Sequence, residues 1–218
     1  MIKAIIFDFD GVLCESVEVK TEAFRKLFLD YPEHLDEIIA YHMDKGGISR
    51  YKKFEYIFKH IIKRPLSTET SERLGLKFSE YAYIEVVKAP FADGAESFLK
   101  KFYMKKKLYI ASGTPEDEMV SIVKEKNIDH FFAGVYGSPK TKYDIIARIL
   151  ESEKLNSEEV IFVGDAITDY EGAQQAGIRF IGRIHEKHDD PFKSANVYAK
   201  IKNLNGFEEL LEEMERNA

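Results

Sequence analysis

Two carboxylates stand one residue apart at Asp8 and Asp10, directly after an apolar run from Ala4 to Phe7. Burying an unpaired carboxylate is strongly unfavourable, so a buried strand has no place for either acid. Both therefore belong past the strand's C-terminal end, the edge at which parallel α/β sheets bind ligands. Where the backbone stays extended, side chains two apart face the same way, so the two acids enter one pocket. Carboxylates held that close need a cation or a shared proton. Mg2+ takes one or two carboxylates and keeps several waters, which suits such a pair. One Asp can attack a phosphoryl group while the other moves the protons of the leaving group and of water. The same pair would also serve as a strand end with two solvated acids. Gly11 follows and lets the backbone turn sharply.

Chemistry-bearing side chains recur after later apolar runs. Leu108 to Ala111 leads into Ser112 and Gly113, and Thr114-Pro115-Glu116-Asp117 predicts a helix start with Thr114 as N-cap and Pro115 as its first residue. A hydroxyl and free N–H groups at such a junction can cradle a phosphate. Further on, Gly137-Ser138-Pro139-Lys140-Thr141-Lys142 opens another helix. A lysine there, Lys140 or Lys142, could neutralise a phosphorylated or metal-bound carboxylate site, or simply be a surface lysine. Val160 to Val163 precedes Gly164-Asp165-Ala166-Ile167-Thr168-Asp169. Asp165 could complete a cation site, and Asp169 falls in a first helical turn, where an acid complements the helix dipole. His185 and His188 are spaced for a zinc pair, but no cysteine or further histidine stands nearby.

The elements that must position these groups fall into two blocks. Residues 17 to 88 show helical periodicity, as in Phe54, Ile57, Phe58 and Ile61 or Leu74, Phe78 and Ala82, and predict about four helices with no strand. Inside that block, the stretch Tyr41 to Lys53 contains His42, a Gly46-Gly47 break, and Ser49 as a candidate cap for the next helix. Arg50, Lys52 and Lys53 bring positive charge to that helix start, so the loop could hold an anionic substrate. Arg50 is the preferred contact, because guanidinium suits bidentate phosphate or carboxylate binding. The alternative is an interhelical turn with solvated basic residues. From residue 90 the pattern alternates helix and strand. Asp93 to Glu96 resembles a capping box, strands are predicted over 131–136, 179–184 and 197–201, and 207–214 predicts a closing amphipathic helix.

A chain of 218 residues suits one large domain, or a core with a smaller insert, and 44% hydrophobic residues are enough for an ordinary core. A net charge of -6 gives no basic excess to support nucleic-acid binding. Cys14 stands alone, so no internal disulfide forms, and a small buried role fits it better than a nucleophilic one. No apolar stretch reaches membrane-spanning length, and the first strand begins too early for a signal peptide. The expectation is a cytoplasmic protein, monomeric or homodimeric, without a membrane partner.

Taken together, Asp-x-Asp-Gly at Asp8, Ser-Gly-Thr at Ser112, a lysine before a helix, and Gly-Asp-x-x-x-Asp at Asp165 occur in an order that resembles the haloacid dehalogenase superfamily. The likeness is to its phosphatase branch, near phosphoglycolate phosphatase and β-phosphoglucomutase relatives. It implies an α/β fold: a Rossmann-like parallel sheet with helices on both faces (residues 1–16 and 88–218) and an inserted helical cap (17–87). It also implies a Mg2+-dependent phosphatase acting on a small phosphorylated metabolite, or alternatively a sugar phosphomutase using the same site. Asp8 matches the nucleophile, Asp10 the general acid/base whose backbone carbonyl also binds Mg2+, and Ser112 the phosphoryl-binding hydroxyl. Asp165 matches the second metal carboxylate and Asp169 a supporting acid. Lys142 fits the family's third motif better than Lys140, since Thr-Lys runs straight into a helix. Gly11, Gly113, Thr114, Gly47, Arg50 and His42 are the candidate substrate contacts. Glu15 stands where the family often has Asp, at the cap hinge.

Overall fold

The computed structural model describes residues 1–186 and 189–216. Six parallel strands form one sheet in the order β3-β2-β1-β4-β5-β6. They are β1 (Ala4–Phe7), β2 (Lys107–Pro115), β3 (Gly134–Ser138), β4 (Val160–Gly164), β5 (Arg179–Arg183) and β6 (Ala199–Ile201). Central β1 is buried on both faces and pairs with β2 and β4, Phe7 lying opposite Ile110 and Val163. Such a strand reads as an unbroken apolar run because helices cover both sides of the sheet.

Residues 17–88, after β1, hold four α-helices: α1 (Val17–Leu27), α2 (Leu35–Asp44), α3 (Arg50–Tyr56) and α4 (Thr68–Lys88), with a π-helical stretch at Ile57–Ile62. Their shared interior is aromatic. Phe24 packs on Phe28, Phe54 and Phe78 with ring centroids 5.1–5.9 Å apart. The remaining helices are α5 (Ala95–Phe102), α6 (Glu116–Glu125), α7 (Lys142–Glu153), α8 (Ile167–Ala176) and α9 (Phe207–Arg216). Ile5 and Phe7 share a core with residues of α5, α6 and α9, while Ala4 and Ile6 share one with α7 and α8. Among the described residues no helix is long and apolar enough to cross a membrane.

Several boundaries differ from the sequence expectation. Thr114 is not a helix N-cap: β2 runs on through a register shift between Ala111 and Pro115, and α6 opens at Glu116 behind Pro115. The bulge redirects the Ser112–Thr114 segment at the sheet's C-terminal edge. The expected capping box at Asp93 is absent, because Gly94 is the N-cap, in a left-handed conformation that offers no side chain. Ser49 does occupy the N-cap position of α3 but makes no capping hydrogen bond. β3 begins at Gly134 because Phe131 still belongs to a 3-10 turn, and β6 starts two residues later than expected.

Phe207 locks α9 onto the sheet, its ring 4.9 Å from Phe98 and 6.3 Å from Phe7. Phe207→Ala is expected to lower the unfolding free energy by about 3 to 5 kcal/mol in urea denaturation, through lost burial and the cavity left behind.

Candidate active site

The C-terminal edge of β1 carries Asp8, whose N–H donates to the Val163 carbonyl (2.9 Å), so the residue continues the ladder with β4. Its Oδ1 accepts from the Phe9 N–H (2.7 Å) and lies 3.0 Å from Lys142 Nζ. Oδ2 has no hydrogen-bond donor among the described residues. Lys142 is the first residue of α7, and its start is fixed by a reciprocal capping box between Thr141 and Asp144. From there the buried ammonium donates to the Ala111 carbonyl (2.6 Å) and stands 2.9 Å from Asp169 Oδ1. Lys140, two residues earlier, points elsewhere and pairs with Glu116 at 2.6 Å.

Carboxylate oxygens of Asp8, Asp165 and Asp169 lie within 4.8 Å of one another. Asp169 Oδ2 accepts from the Ala166 N–H (3.2 Å), whereas its buried Oδ1 has no hydrogen bond and only the ion contact with Lys142. Asp165 Oδ2 meets His185 Nε2 at 3.1 Å. Gly11, at φ +75°, has no space for a Cβ, which would run into Asp165 and His185. Burial raises the Asp8 carboxyl against the opposing pull of Lys142, and Asp169 and Asp10 add to the rise. Burial likewise raises Asp165 and Asp169. For Lys142 burial acts downward, but Asp169 and Asp8 outweigh it and its pKa is raised. Three carboxylates against one ammonium leave negative charge uncompensated. An oxygen-only donor set with an orphaned carboxylate oxygen fits a hard divalent cation.

The Asp10 side chain is not part of that cluster. It accepts from Ser16 Oγ (2.7 Å), from Thr114 Oγ1 (3.3 Å) and from Lys20 Nζ, which also donates to Thr114 Oγ1 (2.6 Å). Burial acts to raise Asp10, but the Lys20 ammonium wins and holds it below the usual carboxylate range. Ser112 is buried, and its Oγ accepts from the Thr114 N–H (3.1 Å).

The loop between α2 and α3 lies directly over these groups. Thr168 Oγ1 donates to the Gly46 carbonyl (2.8 Å), and a Cβ on Gly113 would strike the Gly47 carbonyl. Beneath the loop a cavity of about 540 Å³ is lined by Asp8, Asp10, Gly47, Gly113, Thr114 and Asp165, among others. Arg50 and His42 also line it, but both are already engaged. Arg50 donates to both carboxylate oxygens of Glu118 on α6 (2.6 and 3.0 Å) and to Ser79 Oγ (2.6 Å). His42 is buried against Phe24, centroids 4.0 Å apart, and burial followed by Lys53 drives its pKa down to about 2. His185 contacts Asp165, and its suggested zinc partner His188 lies outside the described residues.

Lys20 was not legible as a site residue, although Val17, Lys20 or Thr21, and Phe24 follow helical spacing and all line the cavity. Arg183 was also missed. It ends β5, the fourth strand to supply a cavity residue, donates to the Gly11 carbonyl (2.8 Å) and pairs with Glu15.

The haloacid dehalogenase-like hydrolase family matches residues 2–177. The phosphorylated carbohydrates phosphatase of Thermotoga maritima is 25% identical over 194 residues, covering 86% of this chain and 88% of that protein. Among solved structures, a hydrolase from Pseudomonas syringae superposes with a TM-score of 0.80 at 18% identity, covering 97% of this chain and 98% of the other. The magnesium-bound YfnB of Bacillus subtilis gives 0.70 at 16% identity, covering 97% and 99%. At these identities the superpositions show the fold. The match over most of the sequence shows the family: the chain belongs to the haloacid dehalogenase-like hydrolases.

Proposed function

We propose that the chain is a Mg2+-dependent phosphomonoester phosphatase, acting on a small phosphorylated metabolite through an aspartyl-phosphate on Asp8. Residues 1–16 and 88–218 would form the catalytic core and 17–87 a cap. The observation that carries this reading is the Asp8 carboxylate: Oδ1 is held by the Phe9 N–H and Lys142, Oδ2 is open, and two more carboxylates stand beside it. Two relatives point the same way, since the Thermotoga maritima protein is a phosphatase of phosphorylated carbohydrates and YfnB was solved with magnesium.

Asp8 Oδ2 attacks phosphorus in line, forming the acyl-phosphate bond as the bond to the leaving oxygen breaks. Lys142, the Ser112 hydroxyl and backbone N–H groups of the bulge neutralise the equatorial oxygens, the dominant contribution in this reaction class. Asp8, Asp165, Asp169 and the Asp10 carbonyl would hold Mg2+, which when bound supplies further positive charge beside the phosphoryl oxygens. Asp10 protonates the leaving oxygen, then takes a proton from the water that cleaves the aspartyl-phosphate. Lys20 holds Asp10 in its ionised form, the form the second step needs. The first step therefore requires that contact to loosen. The loop at Gly46 and Gly47 excludes bulk water while it covers the site.

Phosphate release from a panel of phosphomonoesters tests the reading directly. Release is expected with Mg2+ and is expected to vanish with EDTA or in Asp8→Asn; release that survives Asp8→Asn overturns the mechanism. Lys142→Met is expected to lower kcat by about 10²-fold or more, since it removes a buried charge beside the transferred group. Lys140→Met should stay near wild type, which separates the two lysines. In Lys20→Met the force that depresses Asp10 is gone, so its pKa rises. The pH profile of kcat, where its rising limb reports ionised Asp10, is then expected to move to higher pH.

A further inference from the structure

Three carboxylates make up the acidic cluster, and two of them are held by the same kinds of partner. Asp8 accepts from the Phe9 N–H (2.7 Å) and meets Lys142 at 3.0 Å, and Asp169 accepts from the Ala166 N–H (3.2 Å) and meets Lys142 at 2.9 Å. Asp165 has no backbone donor and no lysine or arginine partner among the described residues. Its hydrogen-bond partner among them is His185, whose Nε2 lies 3.1 Å from Oδ2. An ionised carboxylate only accepts, so Nε2 carries the proton in this contact. The histidine stands two residues past the end of β5, at the same edge of the sheet as Asp8 and Asp165. Its surroundings are tied to the turn after β1. Nδ1 faces Glu15 Oε2 at 3.9 Å, Glu15 pairs with Arg183, and Arg183 donates to the carbonyls of Gly11 (2.8 Å) and Lys202 (2.9 Å). Gly11 permits the approach, since a Cβ there would collide with both Asp165 Oδ2 and His185 Nε2.

We infer that His185 is a positioning residue of the cation site: it holds Asp165 Oδ2 so that the other oxygen is free for a divalent cation, and it touches neither the cation nor the substrate. This rests on the metal-dependent reading above and adds a residue to it. A carboxylate without a partner samples several rotamers, and ordering it when the cation arrives costs entropy. A hydrogen bond that fixes one oxygen beforehand removes that cost. An imidazole N–H can do this as a neutral donor. A second ammonium in its place would cancel part of the negative charge that attracts the cation. Direct ligation is the competing role. The contact with Asp165 already uses Nε2, Nδ1 faces a carboxylate, and a hard cation such as Mg2+ prefers oxygen.

The test is the metal affinity of the free protein, with no substrate present. Mn2+ binding is followed by the loss of the free-ion electron paramagnetic resonance signal, and Mg2+ and Ni2+ by their displacement of Mn2+. His185→Ala is expected to weaken all three ions about 10- to 100-fold, the range for losing a partner that orients a ligand. His185→Gln, whose amide N–H can reach the same oxygen, is expected to restore most of the loss. In an Asp165→Asn background His185→Ala is expected to add nothing, because the histidine acts through that carboxylate. Phosphate release by His185→Ala is expected to recover as Mg2+ is raised, which a general structural defect would not show. If His185→Ala does not fold, His185→Phe keeps the ring and removes the N–H, and the same outcomes apply. Wild-type affinity in the variant lacking the N–H overturns the inference. So does a loss confined to Ni2+, an ion that favours imidazole, since the histidine would then be a ligand itself. A wild-type protein that binds none of the ions overturns the metal-dependent reading and this inference together, whereas normal wild-type binding with unaffected variants overturns the inference alone.

Discussion

A single ammonium, Lys142 Nζ, stands between the carboxylates of Asp8 and Asp169 and is tethered to the Ala111 carbonyl of β2. Without it, three clustered carboxylates would face one another in a buried place, and their mutual repulsion would force protonation or separation. With it, each acid keeps a defined position and the cluster is still one cation short. The ammonium depends in turn on its helix. Thr141 and Asp144 fix where α7 begins, so a surface capping box determines the placement of a charge at the centre of the site.

Around that contact the protein brings backbone to backbone. Gly113 in the β2 bulge and Gly47 in the interhelical loop meet with no space for a side chain between them, and Gly46 accepts a bond from Thr168. Arg50 and Glu118 add an ion pair joining α3 to α6. Phe24, Phe28, Phe54 and Phe78 of the helical segment belong to the same buried apolar cluster as Ile5 and Phe7, so apolar packing joins the segment to the sheet alongside these polar and steric fits.

Much of this was legible in the sequence wherever side-chain type and strand position had to agree. Ala4 to Phe7 reads as a buried strand, which puts Asp8 and Asp10 past its end, and the same reasoning places Asp165 after β4. Partners within long-range networks were less legible. Arg50 reads as an anion contact on its own helix, and only the fold brings Glu118 from α6 against it. Thr114 carries the composition of an N-cap, but pairing between Pro115 and Ser138 keeps the chain extended past it. Lys20 looks like an ordinary helical lysine, and Lys53 reads only as one of three basic residues at a helix start; their burial against Asp10 and His42 depends on how distant elements pack.

The sheet order places β1 between β2 and β4, which begin far later in the sequence, at residues 107 and 160. Asp8 and Asp169 therefore come together in one acidic cluster although they enclose most of the chain between them. During synthesis Asp8 precedes its partners, and the charges of Asp165 and Asp169 cannot join it until α8 has been made. Pairing across such long sequence separations carries a large loop-closure cost and forms slowly.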